Sequence, residues 1–288
     1  MQTIDELVQL LSLEDIGNDS FKGSSEPIGS PNVFGGQVIS QSLNAANRTV
    51  SEERILHSLH SYFLEPGNLE IPIIYEVEKV RDGGSFSTRR VKAIQNNKVI
   101  FILAASFHKR QEGYEHQKAI KANIKQPEDL LSWSEMLSKY GAFIPKGMKA
   151  FLSIERPIEF KPTSPPNPLK KIDLPPKEEV WFRLKGSSKD LSLSMKQQIL
   201  AYVSDYNILN AAIKPNASKI ELGSLQTASL DHSMWFYRDF DFTDWLLYSI
   251  ESPNSANARG VAQGHIYTRK GVLVASVVQE GLVRPLTK

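Results

Sequence analysis

The chain has 288 residues, of which 41% are hydrophobic and 23% charged, values typical of a globular protein long enough for two domains. Its net charge of +2, without a long run of Lys or Arg, gives no argument for a nucleic-acid partner. It has no cysteine, which excludes disulfides, thiolate metal sites and a cysteine nucleophile.

No segment resembles a membrane anchor or a targeting signal. No apolar run reaches the ~18 residues that a membrane span needs. The start of the chain carries Asp5, Glu6, Glu14 and Asp15, which makes it too acidic for a signal peptide or a mitochondrial presequence. Residues 286–288 are not a peroxisomal tripeptide. We therefore expect a cytoplasmic protein without a membrane span.

Residues 1–115 predict a short leading helix, a long helix and about four strands. Helical spacing of apolar residues over 4–13 is followed by a loop rich in Gly, Ser and Pro over 23–31. A second helical run covers 34–47, and its small residues favour close packing against a sheet. From 55 to 108 the period of the apolar residues changes to two, which is typical of strands.

Residues 116–176 predict a partly structured connector. Nine of the 16 prolines lie between Pro127 and Pro176. The stretch 130–139 is helical in pattern, whereas 162–176 is predicted to be extended and semi-rigid.

Residues 177–288 predict a second unit like the first. A strand at 180–184 precedes one long helix over 191–213, which Pro215 ends. Strands then run from 219 to 283.

The two units repeat one sequence pattern. Residues 60–63 (His-Ser-Tyr-Phe) match 232–235 (His-Ser-Met-Trp), and 104–107 (Ala-Ala-Ser-Phe) match 274–277 (Val-Ala-Ser-Val). A long helix followed by an antiparallel meander, occurring twice, indicates a pseudo-symmetric dimer within one chain. We predict an α+β fold in which the two sheets join edge to edge, so that each covers an edge strand of the other.

Asp205 is an anomaly in the second helical pattern. Its spacing places it on the apolar face of Ala201, Ile208 and Ala212, whereas the first-unit helix has no acid. A carboxylate on a core face is costly unless it is hydrogen-bonded or functional. Two interpretations remain open, a capping or network Asp within the fold and a general base.

Gln279 is a second anomaly. It follows the apolar strand 272–278 on the inward face, and its counterpart in the first unit is expected near His108 and Lys109. A side-chain amide there can hold a water or a carbonyl, although a polar strand end is the simpler interpretation.

Ser229, Asp231 and His232 invite comparison with a hydrolase triad, but their spacing contradicts it. Asp231 and His232 are neighbours in a strand pattern and therefore point to opposite faces. The chain also lacks a G-x-S-x-G elbow, a P-loop, a G-x-G-x-x-G fingerprint and H-E-x-x-H. Its six histidines show no metal spacing, so we expect no metal site and structural roles for the histidines.

Gly35 and Gly36 precede the first long helix. Backbone N–H groups at a helix start can bind a carbonyl or phosphate oxygen with help from the helix dipole. The pair is therefore a candidate substrate-binding element, although a tight turn is an equally good interpretation of two glycines.

Five segments resemble the acyl-CoA thioesterase II family. They are residues 33–38 (VFGGQV), 57–64 (HSLHSYFL), 230–236 (LDHSMWF), 245–248 (WLLY) and 271–281 (GVLVASVVQEG). The similarity extends from about residue 30 to 284, with the connector its least similar part, and motifs of this length are specific. The resemblance implies two hotdog units fused in tandem, in agreement with the repeat.

The resemblance also implies a catalytic trio that activates a water. In this family an Asp follows a Tyr-x-Ser pattern, which here selects Asp205. A Thr or Ser two residues before Asp-His-Ser-Met-Trp corresponds to Ser229, and a Gln before Glu-Gly corresponds to Gln279. Ser229 replaces the Thr of many bacterial members but keeps the hydroxyl. The implied reaction is hydrolysis of an acyl-CoA to a fatty acid and CoA, with no cofactor or metal.

These expectations leave two alternatives and several further predictions. A non-catalytic acyl-CoA- or lipid-binding module is the alternative from another class, and release of free thiol would distinguish the two. A hotdog dehydratase is disfavoured, because it would use a His as base and the second helix carries none. We expect an acyl-CoA substrate, one active site per chain, and a homo-oligomer, either a dimer or a tetramer of double hotdogs.

Overall fold

The computed structural model describes residues 1–144, 146–165, 172–220 and 224–286. Residues 166–171 of the predicted extended stretch therefore lie outside the described residues, as do 221–223 of the predicted strand region. Within the part of the chain that is described, no helix is long and apolar enough to cross a membrane.

The first unit contains the two predicted helices and six strands. The helices are α1 (Ile4–Leu11) and α2 (Gly35–Asn47), and the strands are β1 (Glu14–Gly17), β2 (Ser20–Gly23), β3 (Arg54–Phe63), β4 (Ile73–Asp82), β5 (Phe86–Gln95) and β6 (Lys98–Lys109). The four strands predicted between residues 55 and 108 are confirmed. The short strands β1 and β2 were not predicted, because β1 is exposed throughout and carries no apolar alternation.

The connector and the second unit supply the remaining elements. The helices are α3 (Trp133–Tyr140), α4 (Lys146–Ser153), α5 (Leu193–Ser204) and α6 (Asn210–Ile213), and the strands are β7 (Ile158–Pro162), β8 (Lys177–Leu184), β9 (Leu225–Ser229), β10 (Asp231–Phe236), β11 (Leu246–Ala256), β12 (Arg259–Thr268) and β13 (Leu273–Pro285). Within the described part of the connector, the stretch 130–139 contains most of α3, and β7 adds a strand to the edge of the sheet.

The prediction of one helix over 191–213 is wrong. Helix α5 ends at Ser204, and Asp205 is its C-cap. Two residues later Asn207 has φ of 67°, a left-handed conformation that Asn adopts more readily than most residues. Helix α6 is therefore a separate turn, followed by a 3₁₀ turn, and strands resume at Leu225 instead of 219. The helical face assigned to Asp205 together with Ile208 does not exist in the structure.

The described strands form one antiparallel sheet that joins both units. Its order is β1-β2-β4-β5-β6-β3-β10-β13-β12-β11-β8-β7, and β9 pairs with β13. The units meet where β3 pairs with β10, so the two inner edges cover each other. The predicted α+β double hotdog is therefore confirmed.

The strand register defines which residues the internal repeat makes equivalent. Strands β5 and β12 each have ten residues and start 173 positions apart, at Phe86 and Arg259. The same offset relates Leu59 to His232 and Ser61 to Met234. The strand pairing agrees, because Leu59 pairs with Met234 and the equivalent pair, His232 with Ser61, is also present. The correspondence of His60 with His232 in the sequence pattern is one residue out of register.

The register also corrects the expected counterpart of Gln279. Arg89 stands opposite Ala105 in the first unit, and Ala262 stands opposite Gln279 in the second, with Arg89 and Ala262 again 173 positions apart. The equivalent of Gln279 is therefore Ala105 and not the neighbourhood of His108. The offset between Ala105 and Gln279 is 174 positions, one more than between β5 and β12, although both halves build the same meander.

Helices α2 and α5 lie side by side in the buried core. The hydroxyl of Ser40 donates to the backbone carbonyl of Gln198 over 2.8 Å, and the Asn44 amide donates to the Gln198 side chain over 3.1 Å. Ala45 and Ala46 are fully buried, and α2 also packs against β4, β5 and β6 of the sheet. The two helices run antiparallel, since the start of α2 lies beside the end of α5.

Candidate active site

Asp205 lies where the end of α5 meets the start of α2. Its Oδ2 accepts a hydrogen bond of 2.8 Å from the backbone N–H of Gly36. The close approach of α2 to α5 requires a glycine at position 36, because a Cβ there would lie 2.5 Å from the carbonyl oxygen of Tyr202. A Cβ at Gly35 would lie 2.8 Å from Asp205 Oδ2 and 2.9 Å from the Phe63 ring. Both glycines therefore shape the pocket of this carboxylate.

Ser229 is brought to Asp205 by the sheet. It is the last residue of β9 and stands opposite Gly281 of β13. Its Oγ donates to Asp205 Oδ1 over 3.2 Å. The two side chains are 24 residues apart in sequence but form one polar pair.

Gln279 completes the trio from the neighbouring strand. It lies inside β13, not at its end, and its side chain is 1% exposed. Its Nε2 donates to Ser229 Oγ over 2.9 Å. The structure thus brings the three predicted catalytic side chains into one continuous hydrogen-bond chain, Gln279 to Ser229 to Asp205.

His232 and Ser204 extend this chain, and neither was predicted as a site residue. His232 Nδ1 lies 2.5 Å from Gln279 Oε1, and its Nε2 lies 3.0 Å from Ser204 Oγ. Burial lowers the pKa of the His232 imidazole below its ordinary value, which favours the neutral ring. The only sequence signal was the position of Ser204 directly before Asp205, since the link to His232 depends on the register.

The rejection of a triad of Ser229, Asp231 and His232 agrees with the geometry. Asp231 Oδ1 accepts from the backbone N–H of Glu280 over 2.7 Å, whereas His232 points into the core. The two side chains lie on opposite faces of β10, as the alternation predicts.

A cavity of about 980 Å³ opens beside the trio. Asp205, Ser229, Gln279 and Gly35 contribute to its lining. Most of its other lining side chains are apolar, and they include Val33, Phe34, Val38, Phe63, Leu64, Ile100, Phe101, Leu209, Leu225 and Leu230. A polar cluster at the side of an apolar cleft is typical of a site for a largely apolar ligand with one polar reacting group.

Aromatic side chains support the end of α5. The Phe34 ring packs against Tyr202 and Tyr206, with ring centroids 5.1 and 4.5 Å away. Tyr206 is buried, which raises the pKa of its hydroxyl, and its ring also lies 5.2 Å from Phe160. This packing fixes the residues on both sides of Asp205 and restrains its backbone.

The backbone N–H groups of Gly35 and Gly36 differ in their hydrogen-bond partners. The N–H of Gly36 is donated to Asp205, whereas the N–H of Gly35 donates to no group of the described chain. Gly35 lines the cavity. Within the described residues, no group of three or more His, Asp or Glu side chains is placed to hold a metal ion.

Comparisons with known proteins agree on one family. Residues 22–108 match the model of the acyl-CoA thioesterase N-terminal domain, and residues 149–282 match the acyl-CoA thioesterase model. The chain is 40% identical to acyl-CoA thioesterase 2 of Haemophilus influenzae over 281 residues, and this aligned region covers 98% of each protein. It is 36% identical over 282 residues to acyl-coenzyme A thioesterase 8 of Homo sapiens, which covers 96% of this chain and 88% of that protein.

A solved structure gives the same similarity in three dimensions. The acyl-CoA thioesterase II TesB2 from Mycobacterium marinum has a TM-score of 0.78 and 36% sequence identity, over 97% of this chain and 98% of that one.

Proposed function

The chain belongs to the acyl-CoA thioesterase family and is an acyl-CoA thioester hydrolase, and on this premise we propose that Asp205 is the general base for the attacking water. The observation that carries the proposal is the hydrogen-bond chain of Asp205, Ser229 and Gln279 beside the cavity. A carboxylate accepts only, so it can take a proton from a water held against it.

Ser229 and Gln279 position that water. Gln279 uses one N–H on Ser229, and its second N–H is available to a water oxygen. Ser229 donates to Asp205 and therefore keeps the carboxylate oriented. Holding the water in line with the thioester carbonyl converts a bimolecular attack into a positioned one, and this accounts for much of the rate.

Gly35 is our candidate for the group that stabilises the oxyanion. Negative charge develops on the thioester oxygen as the water attacks, and a backbone N–H at a helix start is suited to it. The Gly35 N–H is at the first position of α2, lines the cavity and donates to no group of the described chain. Gly36 acts instead on the base, since its N–H is donated to Asp205.

The reaction that follows is hydrolysis in two steps. The water oxygen attacks the thioester carbon while its proton passes to Asp205, and the C–S bond then breaks. The proton returns to the leaving thiolate, which gives free CoA and a carboxylic acid. We propose that the acyl chain occupies the cavity, because most of the side chains that line it are apolar.

The direct experiment is release of CoA thiol from an acyl-CoA by the wild type and by Asp205→Asn. Activity in the wild type that is lost in a folded Asp205→Asn variant supports the assignment, whereas near-normal turnover in the variant overturns it. A series of acyl-CoAs of graded length then defines the substrate range. The homo-oligomeric state and the cytoplasmic location stay predictions.

A further inference from the structure

The hydrogen-bond chain of the active site continues into the protein beyond Gln279. His232 and Ser204 form its inner end, and both side chains are fully buried. Neither contributes to the lining of the cavity that the described residues form. The hydrogen-bonded route from His232 to the reacting groups therefore runs through Gln279, whereas Ser204 is also joined to Asp205 by the backbone.

The chemistry of the groups fixes the direction of the bonds that join Asp205, Ser229 and Gln279. The Asp205 carboxylate accepts only, so the Ser229 hydroxyl donates its single proton to it. The Ser229 oxygen must then accept from the Gln279 amide, which turns the NH₂ group toward Ser229. The Gln279 carbonyl consequently faces the opposite way.

The Gln279 carbonyl assigns the tautomer of His232. The carbonyl of Gln279 accepts only, so the His232 nitrogen 2.5 Å away, Nδ1, must carry a proton. Because burial favours the neutral imidazole, Nε2 is left as an acceptor. The hydroxyl of Ser204, 3.0 Å from Nε2, can donate to it, although it also reaches the Ala201 carbonyl at 2.8 Å.

The internal repeat provides a comparison within the chain. The position equivalent to His232 is Leu59, and the position equivalent to Gln279 is Ala105, both fully buried. The same strands are thus built in the first unit with apolar side chains. A buried His and Gln cost desolvation free energy that Leu and Ala do not, so the polar pair is not required by the meander itself.

We infer that His232 is a positioning residue whose Nδ1–H holds the Gln279 amide with its NH₂ group toward Ser229 and the attacking water. Without this donor the Gln279 amide is free to rotate, and its flipped form presents a carbonyl oxygen to Ser229. That form can no longer donate to the Ser229 oxygen or to the water. The inference rests on the role proposed above for Gln279.

Two substitutions test the role of the donor. His232→Leu introduces the side chain of the equivalent position, and His232→Asn keeps an N–H close to the place of Nδ1. We expect His232→Leu to lower kcat by about 10- to 100-fold with KM changed by less than about threefold, because the water and not the substrate is affected. We expect His232→Asn to recover most of the lost kcat. His265→Leu is the control, because His265 contacts Ser276 and no member of the chain.

A double-mutant cycle separates positioning from a merely structural role. In a Gln279→Ala background, His232→Leu should cause no further loss of kcat, since the amide that it orients is gone. The inference would be overturned by any of three results. They are equal losses of kcat in both backgrounds, a kcat of His232→Leu within about twofold of wild type, and no recovery of kcat by His232→Asn. If His232→Leu does not fold, His232→Ala, which also lacks the donor, is measured in both backgrounds, and a loss that persists unchanged without Gln279 overturns the inference.

The outcome is distinguishable from failure of the proposed function. A fully active His232→Leu enzyme with an inactive Asp205→Asn enzyme would contradict the positioning role alone. An active Asp205→Asn enzyme would contradict the role of Asp205 as general base. The positioning role of His232 would then be decided by the double-mutant cycle with Gln279 alone.

Discussion

The backbone N–H of Gly36 donates a hydrogen bond of 2.8 Å to Asp205 Oδ2, although the two residues are 169 positions apart. The bond joins the start of α2 in the first unit to the end of α5 in the second. A carboxylate at a helix C-terminus is opposed by the dipole of its own helix, but the N-terminus of a neighbouring helix attracts it. The proposed active site is therefore a product of both units, and the fusion places the donor and the carboxylate in one chain.

Substitution of the two glycines is expected to have different effects. Gly36→Ala places a Cβ 2.5 Å from the Tyr202 carbonyl oxygen, so α2 and α5 must separate. We expect it to lower the free energy of unfolding by about 1–3 kcal/mol and to lower kcat as well. Urea denaturation together with the rate of thiol release measures both effects.

Gly35→Ala is the matched substitution. Its Cβ meets side-chain atoms of Asp205 and Phe63, which can move more easily than a backbone carbonyl. We expect kcat to fall while the free energy of unfolding changes by less than about 1 kcal/mol, since Ala also favours the helix. A variant in which stability falls and kcat is unchanged would contradict the placement of Gly35 against Asp205.

Ser229→Ala and Gln279→Ala are expected to lower kcat more than they raise KM. Both side chains are proposed to act on the water, not on the acyl-CoA. Their losses should not add to that of Asp205→Asn, because the three residues act on one water. Steady-state kinetics of the single and double variants checks this, and an effect on KM alone would show that the role assigned to that residue is wrong.

His232 predicts how stability depends on pH. Its folded pKa is depressed by burial, so below about pH 6.5 the unfolded chain binds a proton that the folded chain does not. The free energy of unfolding therefore falls as the pH is lowered through this window. We expect the fall between pH 7 and pH 5 to be smaller in His232→Leu, which lacks this titrating group. Parallel slopes for the two proteins in urea denaturation would contradict a depressed pKa.

The parts of the fold set by local periodicity could be predicted from the sequence. Helix α2 and strands β3 to β6 follow from apolar spacing of 3.6 and 2 residues. The break after Asp205 could not, because it depends on the left-handed conformation of Asn207, which Asn favours without requiring it. The spacing across that break consequently assigned Asp205 to a helical face that does not exist.

The trio could be named from family motifs, but its connections could not. His232 lies beside Gln279 because β10 and β13 pair in a particular register, and a shift of one residue moves a side chain to the other face. The sequence pattern aligned His232 with His60, which is exposed on the outer face. The correct equivalent, Leu59, has no resemblance to His232 and could be found only from strand pairing.

One active site per chain is expected from the same asymmetry. The equivalents of His232 and Gln279 are Leu59 and Ala105, and α2 carries no carboxylate. Titration with a tight, non-hydrolysable acyl-CoA analogue should abolish activity at one equivalent per chain. A linear decrease that ends at two equivalents would contradict a single site.

The most direct test of the central claim is the turnover number of Asp205→Asn, compared with Asp231→Asn as control. Asp231 is a nearby acid that accepts a backbone N–H, a role that the Asn carbonyl can keep. Circular dichroism and thermal unfolding first establish that both variants are folded. We expect Asp205→Asn to lose about 10²- to 10⁴-fold in kcat for acyl-CoA hydrolysis. We expect the kcat of Asp231→Asn to stay close to that of the wild type. A folded Asp205→Asn enzyme with a kcat near that of the wild type would contradict the assignment of Asp205 as the general base.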